Sequence, residues 1–171
     1  MGIPAHPFLV HAAVVFVPLL AVTAVGYAFV PFVRPHLRWV LGLLAVATPL
    51  AALLAKLSGD AFLDRLRSRN RVSPEFVPRL EEHQQLGTNT LYAAIVLGVL
   101  ALALVYFVRP GGAGVPAAGE GDGADAARPA AGSPRVLSLV LAVLSLAAAG
   151  VTLYYVFRTG DSGAQAVWEG S

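Results

Sequence analysis

The chain of 171 residues has a mean hydropathy of +0.70, and only 13% of its residues are charged. Soluble domains carry about 25% charged residues, so the composition argues against a soluble globular protein. The net charge of +2 comes from arginines that flank apolar segments, which indicates anionic lipid headgroups rather than nucleic acid as a partner. Because cysteine is absent, disulfides, thiolate metal sites and covalent haem attachment are excluded.

Four apolar segments are each long enough to cross a bilayer as a helix, which takes about 20 residues. They cover residues 8–33, 37–57, 86–108 and 136–157. The sequence therefore predicts an all-α fold, a four-helix transmembrane bundle made by one domain over residues 1–171. Since four crossings return the chain to its starting side, both termini are predicted on the same face. Apart from the two hairpins, no internal repeat is recognisable in the sequence.

The segments between and after the spans predict helix ends, a surface helix, a loop and a tail. Ser58-Gly59-Asp60 predicts the end of the second helix, and residues 60–69 predict a short amphipathic helix at the membrane surface. Pro78 is expected at the first position of the third helix. Residues 110–134 are low-complexity Gly, Ala and Pro, so they predict a flexible loop. Residues 160–168 predict a short tail that begins with a turn.

The N-terminus, residues 58–85 and the C-terminal tail are expected on one face, here called the site face. Lys and Arg divide seven to the site face and five to the opposite face, which favours cytoplasmic termini. Eleven Arg against one Lys, with abundant Ala, indicate a GC-rich bacterial genome and hence a multi-pass protein of the bacterial inner membrane. The predicted partners are the lipid bilayer and either a membrane redox partner or further copies of this chain, and no nucleic acid.

Three of the four histidines, His6, His11 and His83, belong to the site face. His11 lies about 6 Å inside the first span at 1.5 Å per residue, and an ionisable group at that depth is a functional candidate that needs a partner. His83 reaches a similar level from the third helix. His6 and His11 are about 140° apart on an ideal helix, so they cannot both face one small ligand. Pro7 favours a first helical position, which predicts His6 in the cap.

Other residues complete the predicted polar cluster of the site face. They are Asp60, Glu82, Asp161, Gly163 and Trp168. Within the spans, small residues predict positions where helices pack closely. They are Gly42, Gly98 and Gly150.

Three interpretations of the histidines remain open. In one, they bind carboxylates, carbonyls and water, and thereby fasten the helices together. In another, His11 and His83 are the axial ligands of a b-type haem, because bundle cofactors are bound by facing helices and imidazole binds haem iron. In the third, His11, His83 and a carboxylate relay protons. No set of nucleophile and base is present, so the sequence does not predict an enzyme.

Several of these residues resemble the pattern of a known family. His6-Pro7-Phe8-Leu9-Val10-His11, followed by an apolar helix with a proline, resembles the opening of the Domain of Unknown Function 2231 family, a group of small bacterial four-span membrane proteins. Ser58-Gly59-Asp60, His83-x-x-x-Gly87 and the segment 160–168 are also similar to its pattern. The resemblance covers the chain except for residues 110–134.

The resemblance implies a bundle similar in outline to two-haem cytochrome b proteins, and some members are joined to electron-transfer domains. This favours a redox role by association. The family motif falls on His6, His11, Gly59, His83, Gly163 and Trp168. The predicted function is a small membrane protein whose polar cluster binds a redox cofactor, with haem b as the candidate, or relays protons. The alternative is a non-catalytic membrane scaffold or accessory subunit whose polar cluster is structural.

Overall fold

The computed structural model describes residues 5–108 and 134–168, with side chains for 6–108 and 135–165. The described residues form four long helices: α1 (Ala5–Phe29), α2 (Arg34–Ser68), α3 (Val77–Phe107) and α4 (Pro134–Trp168). Single 3-10 turns, Pro31–Val33 and Pro74–Phe76, precede α2 and α3. The predicted all-α four-helix bundle is confirmed. The predicted loop at 110–134 lies outside the described residues except for Pro134, which begins α4.

All four helices are long and apolar enough to cross a membrane. Their packing is the reverse of that in a soluble bundle, because many of the buried residues are alanines and large apolar side chains cover the outside. Val22, Leu43 and Leu139 are 67%, 71% and 62% exposed. Trp39, near the start of α2, is 85% exposed, as expected of an aromatic residue at the membrane interface. The outer surface of the bundle is therefore suited to contact with lipid.

Both helices that end on the site face extend further than the sequence predicts. Ser58-Gly59-Asp60 does not end α2, and residues 60–69 are not a separate helix, since α2 continues to Ser68. The Ser58 hydroxyl donates to the Ala55 carbonyl at 2.8 Å, and Lys56 pairs with Asp60 one turn later at 2.6 Å. The ion pair between Lys56 and Asp60 stabilises a continuing helix, since residues four apart lie on the same helical face. Residues 160–168 likewise belong to α4 rather than to a tail.

Two predictions of where helices begin, both based on prolines, differ from the structure by one or two residues. Pro78 is the second residue of α3, because α3 begins at Val77. His6 lies in the first turn of α1 rather than in a cap, because α1 begins at Ala5. This shift matters for function, since a helical His6 has a fixed direction relative to the neighbouring helix.

Helices α2 and α3 approach each other very closely at Pro49 and Gly98. Pro49 has no N–H group, so the Ala45 carbonyl lacks its usual helical donor. A Cβ added to Gly98 would lie 2.6 Å from that carbonyl oxygen and 3.2 Å from Pro49 Cγ. Close packing is thus confirmed at Gly98. The prediction of close packing is wrong for Gly42 and Gly150, where an added Cβ meets nothing within 4 Å.

The two hairpins, α1–α2 and α3–α4, repeat one pattern of burial. In α1 and α3 the equivalent buried pairs are Ala13 and Thr90, Val17 and Ala94, Leu20 and Leu97, and Ala24 and Ala101. In α2 and α4 they are Ala45 and Ala149, Thr48 and Thr152, and Ala52 and Val156. Each helix packs on the next around a ring, with α1 and α3 at diagonal corners. A pseudo-two-fold axis parallel to the helices therefore relates the hairpins.

The topology predicts how the faces of the protein are labelled in a membrane. The chain contains no cysteine, so single cysteines can be introduced at residues 2, 70, 120 and 170 without background. We expect an impermeant thiol reagent to label residues 2, 70 and 170 from the same side and residue 120 from the other. Any other grouping would contradict four crossings.

Candidate functional site

A cavity of about 520 Å³ lies at the site face, and all four helices contribute to its walls. Its size falls in the range of about 300–1,000 Å³ that is typical of ligand and cofactor sites. The lining is mostly apolar, with a few polar side chains near the N-terminal ends of α1 and α3. Three of the four histidines line it: His6, His11 and His83. The cavity is therefore the main candidate site among the described residues.

His6 projects from the first turn of α1 against α2. Its Nδ1 lies 3.1 Å from the Ala55 carbonyl oxygen and 3.1 Å from Ser58 Oγ. Its ring packs on Gly59 so closely that an added Cβ would lie 2.9 Å from His6 Cε1, and it stacks on Phe62 at 6.4 Å between centroids. Because a carbonyl only accepts, the neutral ring donates through Nδ1–H, which leaves the Nε2 lone pair free.

His83 has the same arrangement between α3 and α4. Its Nδ1 lies 2.9 Å from Ser162 Oγ, and the Ser162 hydroxyl donates to the Thr159 carbonyl at 3.0 Å. The Thr159 carbonyl also interacts with the His83 ring. A Cβ added to Gly163 would lie 3.0 Å from His83 Cε1. The Ser162 oxygen therefore accepts from Nδ1–H, and His83 Nε2 is again the free nitrogen.

These two environments are equivalent under the pseudo-two-fold axis. The set Ala55, Ser58 and Gly59 around His6 corresponds position by position to Thr159, Ser162 and Gly163 around His83. Both rings line the same cavity. Within residues 5–108 and 134–168, the hydrogen bonds of both rings involve Nδ1. The cavity thus lies between two equivalent imidazoles, each with an available Nε2.

His11 differs from the other two histidines. Its ring is exposed, and its Nδ1 bonds the Pro7 carbonyl of its own helix. It lines the cavity without a partner residue on a neighbouring helix among the described hydrogen bonds. The structure therefore brings His6, rather than the predicted His11, into the position equivalent to His83.

The polar cluster predicted from the sequence separates into parts. Asp60 lines the cavity and accepts from Lys56 Nζ at 2.6 Å and from Gln84 Nε2 at 3.0 Å. This contact joins α2 to α3. Neither Lys56 nor Gln84 is predicted from the sequence, because a single Lys or Gln in a polar segment has no distinguishing pattern.

The remaining predicted members lie elsewhere or outside the described side chains. Glu82 pairs with Arg158 at 3.7 Å, and Asp161 accepts from Gln165 at 3.1 Å. Both acids line a separate, smaller cavity of about 190 Å³ between α3 and α4. The side chain of Trp168 is not among those described. Of the cluster members whose side chains are described, Asp60 and Gly163 belong to the histidine cavity, and Glu82 and Asp161 do not.

The serines that orient the histidines were also missed by sequence reasoning. A signal for them exists, because each hairpin contains a Ser-Gly pair near its second helix end, Ser58-Gly59 and Ser162-Gly163. The described residues contain no group of three or more His, Asp or Glu side chains that could hold a bare metal ion. Two imidazoles on facing helices can instead bind a metal whose remaining ligands belong to a macrocycle, as in haem.

Comparison with known proteins identifies the family of the chain. No curated protein and no solved structure matches the chain significantly. A family model described as "Predicted membrane protein (DUF2231)" matches residues 2–171, almost the whole chain. The four membrane-spanning helices agree with that description. The chain therefore belongs to the DUF2231 family of predicted membrane proteins.

Proposed function

We propose that the protein is a membrane redox component that binds haem b between His6 and His83. The observation that supports this best is the pair of equivalent imidazoles, each bonded through Nδ1 and facing one shared cavity. Haem iron takes four equatorial nitrogens from its own macrocycle, so the protein has to supply only the axial ligands. Sites of this kind in helix bundles use side chains from facing helices.

The surroundings of both rings fit an axial ligand. A ligating histidine usually donates its other N–H to a carbonyl or similar acceptor, which sets the tautomer and the ring orientation. Ala55 and Ser58 supply such acceptors for His6, and Ser162 does so for His83. The cavity walls are mostly apolar, and the apolar shell around a metal site controls solvent access and thereby its redox potential. When bound, haem supplies one-electron transfer, while the protein orients its two axial nitrogens and shields the site.

One observation favours the alternative, a structural role in a scaffold or accessory subunit. His6 bonds α2 and His83 bonds α4, so each histidine fastens its own hairpin. A proton relay is less well supported, because several of these hydrogen bonds end on backbone carbonyls, which do not pass a proton on. The spectrum and the stability of histidine variants separate the haem function from the structural one.

The test is the absorption spectrum of the protein purified in mild detergent from haem-replete cells. We expect a Soret band and a sharp α-band after reduction. His6→Ala and His83→Ala should each abolish the low-spin spectrum, because each removes one axial nitrogen. His11→Ala, the matched control on the same helix as His6, should keep it.

A colourless wild-type protein would contradict the haem proposal. In that case the structural alternative predicts that His6→Leu lowers the thermal stability by removing the hydrogen bond that joins α1 to Ala55 and Ser58 of α2, at a cost of about 0.5–1.5 kcal/mol. His6→Gln should retain more stability, because an amide can still donate to the Ala55 carbonyl. A coloured protein that keeps its spectrum in both alanine variants would show that other residues bind the iron.

A further inference from the structure

The pseudo-symmetry of the cavity is broken at two opposite walls. On the wall between α2 and α3, the cavity is lined by a cation, a carboxylate and an amide. The equivalent positions on the wall between α4 and α1 carry small or apolar residues. The pairs are Lys56 and Gly160, Asp60 and Ala164, and Gln84 and Pro7, and all six residues line the cavity. One wall is therefore polar and its symmetry mate is not.

The polar wall presents a cation that can bind a further group. Lys56 Nζ contacts Asp60 Oδ2, and the two side chains are 28% and 35% exposed. An ammonium group has three N–H donors, so this contact leaves donors available. These remaining donors allow Lys56 to bind a second carboxylate. Gln84 holds the other Asp60 oxygen and thereby keeps the pair at the cavity wall.

The opposite wall is open and apolar. Pro7, Gly160 and Ala164 are all exposed at the outer surface while also lining the cavity. A Cβ added to Gly160 meets nothing within 4 Å, so the position borders on open space. In the bilayer this seam between α1 and α4 suits the apolar part of a ligand.

We infer that the cavity holds an amphipathic planar ligand in one orientation, with a carboxylate-bearing edge bound by Lys56 and an apolar edge at the seam of Pro7, Gly160 and Ala164. The inference rests on the proposed haem function and deepens it. Haem b fits this description, because both of its propionates lie on one edge and the other edge is hydrocarbon. Lys56 is the orienting residue, and Asp60 with Gln84 positions its ammonium group.

The test compares haem with its dimethyl ester, in which both carboxylates are blocked, in titrations of the apoprotein. The wild type should bind haem about tenfold more tightly than the ester, as expected for one charge-assisted contact. Lys56→Met should remove this preference by weakening haem binding while ester binding stays unchanged. Arg158→Met is the matched control, since Arg158 is also in an ion pair at the site face but does not line the cavity.

A second variant uses the pseudo-symmetry directly. Lys56→Gly and Asp60→Ala are combined with Gly160→Lys and Ala164→Asp, which moves the ion pair to the equivalent wall. Because the open space at Gly160 accepts a side chain, the preference for haem over the ester should return. The Kd ratio of this variant should match the wild type, whereas Lys56→Gly with Asp60→Ala alone should bind both ligands equally.

Each failure has its own meaning. A wild-type protein that binds neither ligand overturns the proposed function and this inference with it. A protein that binds haem and ester equally, or a Lys56→Met variant that keeps the preference, overturns the inference alone. If the four-residue variant does not fold, the comparison of Lys56→Met with Arg158→Met still shows whether the preference for haem over the ester depends on Lys56.

Discussion

Replacing Gly98 with alanine is expected to lower the free energy of unfolding by about 1–3 kcal/mol, the usual cost of an extra methyl group in a packed interior. The added Cβ would lie 2.6 Å from the Ala45 carbonyl oxygen, which is backbone and cannot rotate away. Helices α2 and α3 would have to separate near Pro49, where the carbonyl is already without its helical donor. The measurement is thermal or denaturant unfolding in detergent, followed by circular dichroism.

The matched control is Gly150→Ala, a helical glycine at which an added Cβ meets nothing within 4 Å. Alanine is a better helix former than glycine by about 0.5–1 kcal/mol, so this variant should be as stable as the wild type or more stable. Unfolding of both variants at the same temperature would mean that α2 and α3 do not approach as closely as the structure has them. A Gly98→Leu variant should fail to fold if the close approach is correct.

The second large effect is expected at the two glycines that face the histidine rings. Gly59→Ala and Gly163→Ala would place a Cβ at 2.9 Å from His6 Cε1 and 3.0 Å from His83 Cε1. Each ring would have to move, which strains or breaks its Nδ1 hydrogen bond and turns Nε2 away from the cavity. If the rings are axial ligands, haem affinity should fall about 10–100-fold, as it does when the partners of a metal ligand are removed.

Each site glycine has a control on its own helix. Gly42→Ala in α2 and Gly150→Ala in α4 add the same methyl group where nothing lies within 4 Å, and neither glycine lines the cavity. These controls should keep the spectrum and the stability of the wild type. Equal haem affinity in the site variants and the controls would contradict a role for the glycines in seating the rings. The thermal stability of the same four variants can be compared as well. This comparison still tests the packing of the rings on the glycines if the protein binds no haem.

The sequence by itself predicted the class of protein and the face on which its chemistry lies. Lipid requires each crossing to be a long apolar helix, so uncharged runs alone predicted the four spans that the structure contains. Counting crossings then placed His6, His11 and His83 on one face. These predictions depend only on local composition and on an even number of crossings, which is why no knowledge of packing was needed.

Helix ends were predicted less well, and the reason lies in neighbouring helices. Ser58-Gly59-Asp60 has the composition of a helix end, yet α2 continues through it to Ser68. Gly59 makes room for the His6 ring, which occupies the space that a side chain there would take. Gly163 in α4 has the same relation to His83. The sequence alone does not distinguish a glycine that ends a helix from a glycine that makes room for a histidine ring of the neighbouring helix.

Tertiary structure alone decided which histidines are equivalent and that the bundle is pseudo-symmetric. Some equivalent pairs, such as Thr48 and Thr152, are identical, whereas others, such as Val17 and Ala94, share only their burial. These identities are scattered among similar apolar residues, so the repeat was not recognised in the sequence. His6 and His83 become partners only because the pseudo-two-fold axis brings the N-terminal parts of α1 and α3 to opposite sides of one cavity. Hydropathy determines where helices cross the membrane, whereas the packing of one helix on the next determines which side chains meet.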